Sequence, residues 1–320
     1  MSQILFVSPP HLRANDSAFK RMLIWNLSLL PIAFGALAAF GGGAFLIMLM
    51  SVAGAALGEV FFRVLIRVVI ASEAKQSKTE IASSALSNLL AMTRVRPDGK
   101  AMYIGLLSSF LFSPYLSPWV SFWSTFWATA ISQECFGGKG ASIFHPALVA
   151  FTFSQIFSSS ASSAPSGNAF LFQMAEQTDL RINVKDFLWG VRSGALGEAS
   201  LLMSLAGGVI LLGKRMISFW PPFLFLGSVL GASFLIHANP SAELLVGSTM
   251  LVAFYIVTDY ETSPIHRYGK YAYAVLCGFS FVMLRHASGR PEAALYGLLI
   301  LNGFAPLFDQ WLGRMRKRHA

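Results

Sequence analysis

The sequence predicts an all-α polytopic membrane protein of about ten transmembrane helices, with broken helices and an internal repeat. Three observations carry this. Hydrophobic residues fill 55% of the 320 positions and charged residues only 12%, where soluble domains carry about a quarter charged. The apolar residues gather in runs near the roughly twenty that cross ~30 Å of hydrocarbon. Two of these runs are interrupted alike. CFGGKGASIFHPALV at 135–149 sets a glycine turn before a proline-led apolar run, and VGSTMLVAFYIVTDYETSPI at 246–265 sets small residues before an apolar run ending in polar residues and Pro264. Gly137, Gly138 and Gly140 destabilise helix and Pro146 ends or restarts one. The backbone is therefore expected to break at membrane depth, where irregular backbone persists only if buried or lining a cavity. Paired interruptions point to a repeat with a site between the halves.

Residues 22–40 and 44–62 are the first two predicted spans, joined by a turn at Gly41–Gly43. Glu59 stands one turn before Arg63, so an i,i+4 pair near the membrane edge is the structural reading and an ion-pathway carboxylate the functional one. Residues 67–100 mix charged and polar residues around a short apolar piece at 85–92, the pattern of a cytoplasmic loop carrying an interfacial helix. Segments 101–112 and 119–131 flank SPYLSP, where Pro114 and Pro118 force a tight connection. Trp119, Trp123 and Trp127 recur every four residues, a stripe that suits helix packing or an interfacial belt better than a quinone or flavin platform. Residues 147–157 give a short fifth segment, and spans six to ten fall at 199–213, 219–236, 244–258, 271–284 and 293–312. Between the halves lies the longest polar stretch, 158–198, opening SSSASSAPSGN. The chain is one membrane domain: a first repeat at 1–157, an extracytoplasmic Ser-rich loop at 158–198, and a second repeat at 199–320.

The net charge of +9 is a matter of orientation. Basic residues flank apolar spans in short clusters, as in cytoplasmic loops, which argues against nucleic-acid binding. With ten crossings, 19 of the 24 Lys and Arg fall on the side holding both termini and 5 on the other, placing both termini in the cytoplasm. The polar first twenty residues show no cleavable signal pattern, so the first span serves as the insertion signal. Cys135 and Cys277 have no partner at ligand spacing and read as two inert thiols, with no metal site.

Several stretches in order along the chain resemble one family: VSPPHLRANDSAFKRM at 7–22, FGGKGASIFHPALVAFTF at 136–153, SGALGEAS at 193–200, GSTMLVAFYIVTDYETSP at 247–264 and PEAALYGLLILNGFAPLFD at 291–309. The family is that of the membrane flavin subunits NqrB, of the sodium-translocating NADH:quinone reductase, and RnfD, of the Rnf ion-translocating electron-transport complex. The resemblance implies an inverted 5+5 repeat of urea-transporter-like fold in the bacterial inner membrane and electron transfer coupled to Na+ or H+ movement. It also implies partner subunits carrying iron–sulfur centres, an NADH or ferredoxin site and a second flavin. KRM at 20–22 and FAPLFDQW followed by a basic tail look more like NqrB, whereas the short N-terminus and RPDGKA at 96–101 look more like RnfD, to which length tips the balance.

In this family a threonine in a D-x-x-S-G-A-T motif carries FMN through a phosphoester. The aligned residues here are Ser163 to Ala169: Ser166 and Gly167 match, Ser163 replaces the acid, and Ala169 stands at the acceptor position. A methyl group has no oxygen to join a phosphate, so covalent FMN at Ala169 is excluded and the flavin, FMN or riboflavin, is expected to be noncovalent, with Ser166 a weaker substitute acceptor. The family's Asn before Pro-Ala is His145 here, read as a hydrogen-bonded structural residue and not a ligand. If a flavin or quinone sits between the halves, Gly137, Gly138, Gly247, Ser248 and Thr249 are its natural lining, because glycine lets a ring approach and half-helix N–H groups hold anions. Helix packing explains the same glycines equally well. Glu198, at a helix entry, and Asp259, ending a span, are candidates for an ion path, with Arg267 or Lys270 as structural partners for Asp259.

The chain carries no dinucleotide fingerprint after a strand and no cysteine cluster, so no catalytic residue emerges and it collects no electrons unaided. Two other classes fit the residues: a small-solute channel or transporter, which a repeat alone supports equally, and a structural subunit that has lost its flavin.

Overall fold

A computed structural model of the chain describes residues 18–76, 99–136, 142–158, 195–198, 200–245, 248–290 and 292–318. All regular structure among these is helical. Helix α1 (Ala18–Phe40) is separated from α2 (Gly42–Gln76) by Gly41 alone, whose φ of 65° lies where a side chain is disfavoured. Phe19–Phe40 and Gly42–Ile66 are long and apolar enough to cross a membrane. Helix α2 runs well past its predicted end at 62, because the following residues contain no glycine or proline to stop it. Residues 67–76 of the expected polar loop are therefore helical, and the rest of it up to 98, with the apolar piece at 85–92, lies outside the described residues.

Helix α3 (Lys100–Leu111) turns through the predicted Pro-rich connection into α4 (Pro118–Ser132), which has proline in its first turn, where its missing N–H costs nothing. A 3₁₀ turn, Glu134–Phe136, follows, and α5 (Pro146–Ser158) restarts at the proline that marked the first interruption. A second 3₁₀ turn, Leu196–Glu198, enters α6 (Leu201–Gly213), capped by Ser200 Oγ, which accepts the Met203 N–H at 3.4 Å. Helix α7 (Trp220–Leu235) precedes the short α8 (Pro240–Leu245) and α9 (Thr249–Leu251), which passes into a π-helical turn at Val252–Ile256. The predicted single span at 244–258 is thus a broken one. Helices α10 (Arg267–Ser288) and α11 (Ala293–Arg318) complete the chain, with Gly289 at φ 62° ending α10.

Helix packing runs in a similar order before and after α6. Helix α2 lies along α4 and α3, and α4 along α5; α7 lies along α10, α8 and the π turn, and α10 along α11; α1 meets α6. The close pairs rest on the same devices. A Cβ added at Gly54 or Gly58 of α2 would stand 2.2 Å from the Phe122 carbonyl oxygen or 2.7 Å from that of Phe126, and one at Gly278 of α10 would stand 2.5 Å from that of Phe225 on α7. Ser121 Oγ donates to the Ile47 carbonyl at 3.0 Å, and Ser228 Oγ to that of Val275 at 2.7 Å. Small residues and interhelical hydroxyls are how helices associate where lipid removes the hydrophobic drive. Trp119, Trp123 and Trp127 face outward, as an interfacial or packing stripe requires, and meet Phe122 and Phe126 edge-on.

Candidate functional site

The broken helix between α8 and α10 organises the polar interior. Thr249 Oγ1 donates to the Glu243 carbonyl at 3.0 Å, tying α9 back to α8. The Val257 N–H then bonds the Val252 carbonyl at 3.0 Å, an i→i+5 bond that widens the turn. Such π turns are rare and concentrate at functional sites. Leu251 to Val257 are all buried. From Thr249 to Val257 the segment rises roughly 12 Å, less than half the hydrocarbon thickness. Each end buries charge.

At the α9 end, Glu198 Oε2 accepts the Ala195 N–H at 3.3 Å and its carboxylate also meets the Ser248 backbone N–H. Arg285 Nη1 contacts Glu243 Oε2 at 2.7 Å, and His286 Nε2 lies 2.8 Å from Glu243 Oε1. The Arg285 side chain is 1% exposed and its guanidinium stands 4.5 Å over the Phe281 ring. Its charge reaches Glu198 as well. Of the residues expected from sequence, Glu198, Ser248 and Thr249 are therefore brought together here.

At the other end the partners come from both halves of the chain. Lys100 Nζ, on the first residue of α3, lies 2.6 Å from each carboxylate oxygen of Glu261. Tyr260 OH donates to Oε1 at 2.9 Å and Ser142 Oγ to Oε2 at 3.1 Å. Asp259 Oδ2 accepts from Thr262 Oγ1 at 3.1 Å, and His145 Nε2 stands 4.0 Å away. His145 Nδ1 accepts the Ala147 N–H at 3.2 Å, so the ring proton sits on Nε2, toward Asp259. His145 does serve the helix restart, as its structural reading holds. Tyr103 packs edge-on against Trp25 with its hydroxyl buried and without a hydrogen-bond partner among the described residues. The expected pairing of Asp259 with Arg267 or Lys270 is not formed: Asp259 turns into this pocket, whereas Arg267 is exposed at the start of α10 and bonds Tyr271.

Glu59 and Arg63 pair at 2.7 Å as the i,i+4 spacing predicts, and Glu134 joins them at 3.2 Å from Arg63 Nε, an extension invisible in the spacing. Sequence reasoning missed Lys100, Glu261, Glu243 and Arg285. Arg285 had a signal, as a basic residue within an apolar helix; Lys100 was read as the edge of a polar loop. Gly137, Gly138, Gly247, Ser166, Gly167 and Ala169 lie outside the described residues. Among the described residues no group of three or more His, Cys, Asp or Glu is placed to hold a metal ion.

Two described helices long and apolar enough to cross a membrane, broken segments and buried acids are compatible with a helical membrane protein that has a polar interior. The chain belongs to the NQR2, RnfD, RnfE family, whose model matches residues 5–317. It is 27% identical over 316 residues to the D subunit of the Na(+)-translocating ferredoxin:NAD(+) oxidoreductase complex of Acetobacterium woodii, covering 95% of this chain and 92% of that one. It is 28% identical over 313 residues to the D subunit of the ion-translocating oxidoreductase complex of Methanosarcina acetivorans, covering 97% and 95%. The D subunit of a proton-translocating ferredoxin:NAD(+) oxidoreductase complex from Clostridium ljungdahlii is 24% identical over 331 residues, 95% of this chain and 93% of that one.

Proposed function

We propose that the chain is the membrane subunit of an ion-translocating, flavin-dependent electron-transport complex of the RnfD type. Near-full-length similarity to three proteins named as D subunits of such ion-translocating complexes is the observation that carries this. On this reading the chain acts only with partner subunits carrying iron–sulfur centres, a ferredoxin- or NADH-reacting site and a second flavin. It sits in the bacterial inner membrane with about ten crossings and both termini in the cytoplasm. The similar packing order of α2 to α5 and α7 to α11 supports an inverted repeat. Covalent FMN does not fit, since Ala169 offers no oxygen; a flavin held noncovalently near Gly137, Gly138, Gly247, Ser248 and Thr249 does not depend on that residue.

Glu198, half-buried, and Asp259, buried, at opposite ends of the broken helix, are the acids of the ion path. Glu198→Gln and Asp259→Asn are each expected to lower ion uptake by the reconstituted complex about tenfold, a barrier change of about 1.4 kcal/mol, measured beside electron transfer in the same vesicles. Uptake at the level of the unaltered complex in both variants removes them from the path.

The flavin is tested by fluorescence of the subunit, co-expressed with the flavin transferase, before and after denaturing electrophoresis. Fluorescence present natively and lost on denaturation is expected, with covalent fluorescence gained in an Ala169→Thr, Ser163→Asp variant. Fluorescence that survives denaturation in the unaltered chain would locate another acceptor, Ser166 first. No native flavin at all would favour a structural subunit or a solute transporter.

A further inference from the structure

We propose that the ion moved at the Asp259 end of the broken helix is a proton and not a sodium ion, because the Lys100 ammonium already occupies the cation position there. This rests on the reading of the chain as an ion-translocating subunit and names its ion.

Lys100 is held from several directions. It follows Gly99, whose φ is 77° and whose carbonyl accepts Asn26 Nδ2 at 2.9 Å, so α1 fixes the start of α3. Its Nζ bridges both oxygens of Glu261 at 2.6 Å, and the side chains of Lys100 and Glu261 are 6% and 5% exposed. Tyr260 and Ser142 take further lone pairs of the same carboxylate. A hard cation needs several oxygen ligands, carboxylates foremost. Here that carboxylate is spent on an ammonium that is tethered by its own side chain and cannot leave with the ion. A sodium ion beside it would need an oxygen shell of its own, and the Glu261 oxygens that would supply much of it are already engaged.

The charges that face Asp259 balance in a particular way. Among the described residues, the titratable groups around it are Lys100 and Tyr103 from α3, His145 before α5, Tyr260 and Glu261 from its own turn, and Tyr273 from α10. Lys100 and Glu261 cancel each other, and the phenols and the Nε2-protonated imidazole are neutral. Among the described residues one negative charge remains, on Asp259. A proton neutralises it by binding a single carboxylate lone pair and needs no oxygen shell. The carboxylate takes up one proton on one side and gives the same proton up on the other, and no oxidant or second ion enters that step.

The test uses the whole complex in proteoliposomes, driven by its own electron donor and acceptor, with a trapped pH dye and radioactive sodium as parallel readouts. The unaltered complex is expected to acidify the lumen in sodium-free buffer and to take up no labelled sodium. Lys100→Ser frees the Glu261 carboxylate, so its electron transfer is expected to require millimolar sodium and labelled sodium is expected to enter. Lys100→Arg keeps a tethered cation and proton movement. Labelled sodium entering the unaltered complex in step with electron transfer overturns the proposal, whether or not the variants assemble. Electron transfer with neither ion moving overturns instead the reading of the subunit as ion-translocating.

Discussion

Gly207→Ala is expected to remove most of the folded chain from the membrane, while Gly231→Ala leaves it intact. Gly207 on α6 is the point where α1 and the π turn meet. Tyr255 OH donates to the Ser28 carbonyl at 2.8 Å across its face, and an added Cβ would stand 2.2 Å from that hydroxyl and 2.4 Å from that carbonyl oxygen. The methyl enters between donor and acceptor. Overpacking and two buried polar groups left unpaired together cost roughly 3–9 kcal/mol, a large part of the ~5–15 kcal/mol that holds a typical protein folded. At Gly231 of α7 an added Cβ meets nothing within 4 Å, and the change stays within about 0.5 kcal/mol. Heating detergent-solubilised fluorescent fusions and following the monodisperse peak by size exclusion compares the two. Equal midpoints for Gly207→Ala and the unaltered chain would mean that α1, α6 and the π turn do not meet as described.

Arg285→Met has the second large effect. The guanidinium is almost wholly buried, stacked over Phe281 and bonded to Glu243, and its charge reaches Glu198. Removing one partner of a buried ion pair costs about 3–5 kcal/mol, because the other charge is left desolvated. Adding Glu243→Gln to Arg285→Met should return a measurable part of the loss, since removing both charges is far less costly than removing one. The thermal midpoints of the two single variants and the double variant form the cycle. A double variant as unstable as the sum of its singles would show that the pair contributes no coupling.

The sequence made the interruptions legible and hid the partnerships. Gly137 to Pro146 and Gly247 to Thr249 stood out because glycine and proline act locally on the backbone, so a helix restart at Pro146 and a break before Thr249 follow from chain chemistry alone. The Glu59–Arg63 pair was legible for the same reason, since both residues lie on one helix at contact spacing. Asp259 was legible only as an acid. Its surroundings were not, because Lys100, Tyr103 and His145 arrive from the other half of the chain, and neighbouring Arg267 and Lys270 looked the simpler partners. The π turn has no composition signal at all: VAFYI reads as ordinary apolar helix, and the helices that pack against the turn, α6 and α7, come from elsewhere in the chain.

The bond between Lys100 and Glu261 joins residues 161 apart in the chain, and that between Tyr255 and Ser28 joins residues 227 apart. Ribosomes add about 5–20 residues per second, so Lys100 emerges roughly ten to thirty seconds before its carboxylate has been synthesised. During that interval the nascent first half carries an ammonium with no counter-charge from the second, and the stable resting place for it is the headgroup region, which a flexible lysine reaches by snorkelling. The Lys100–Glu261 bond can therefore close only after the second half has been made, so the polar interior is completed late in synthesis.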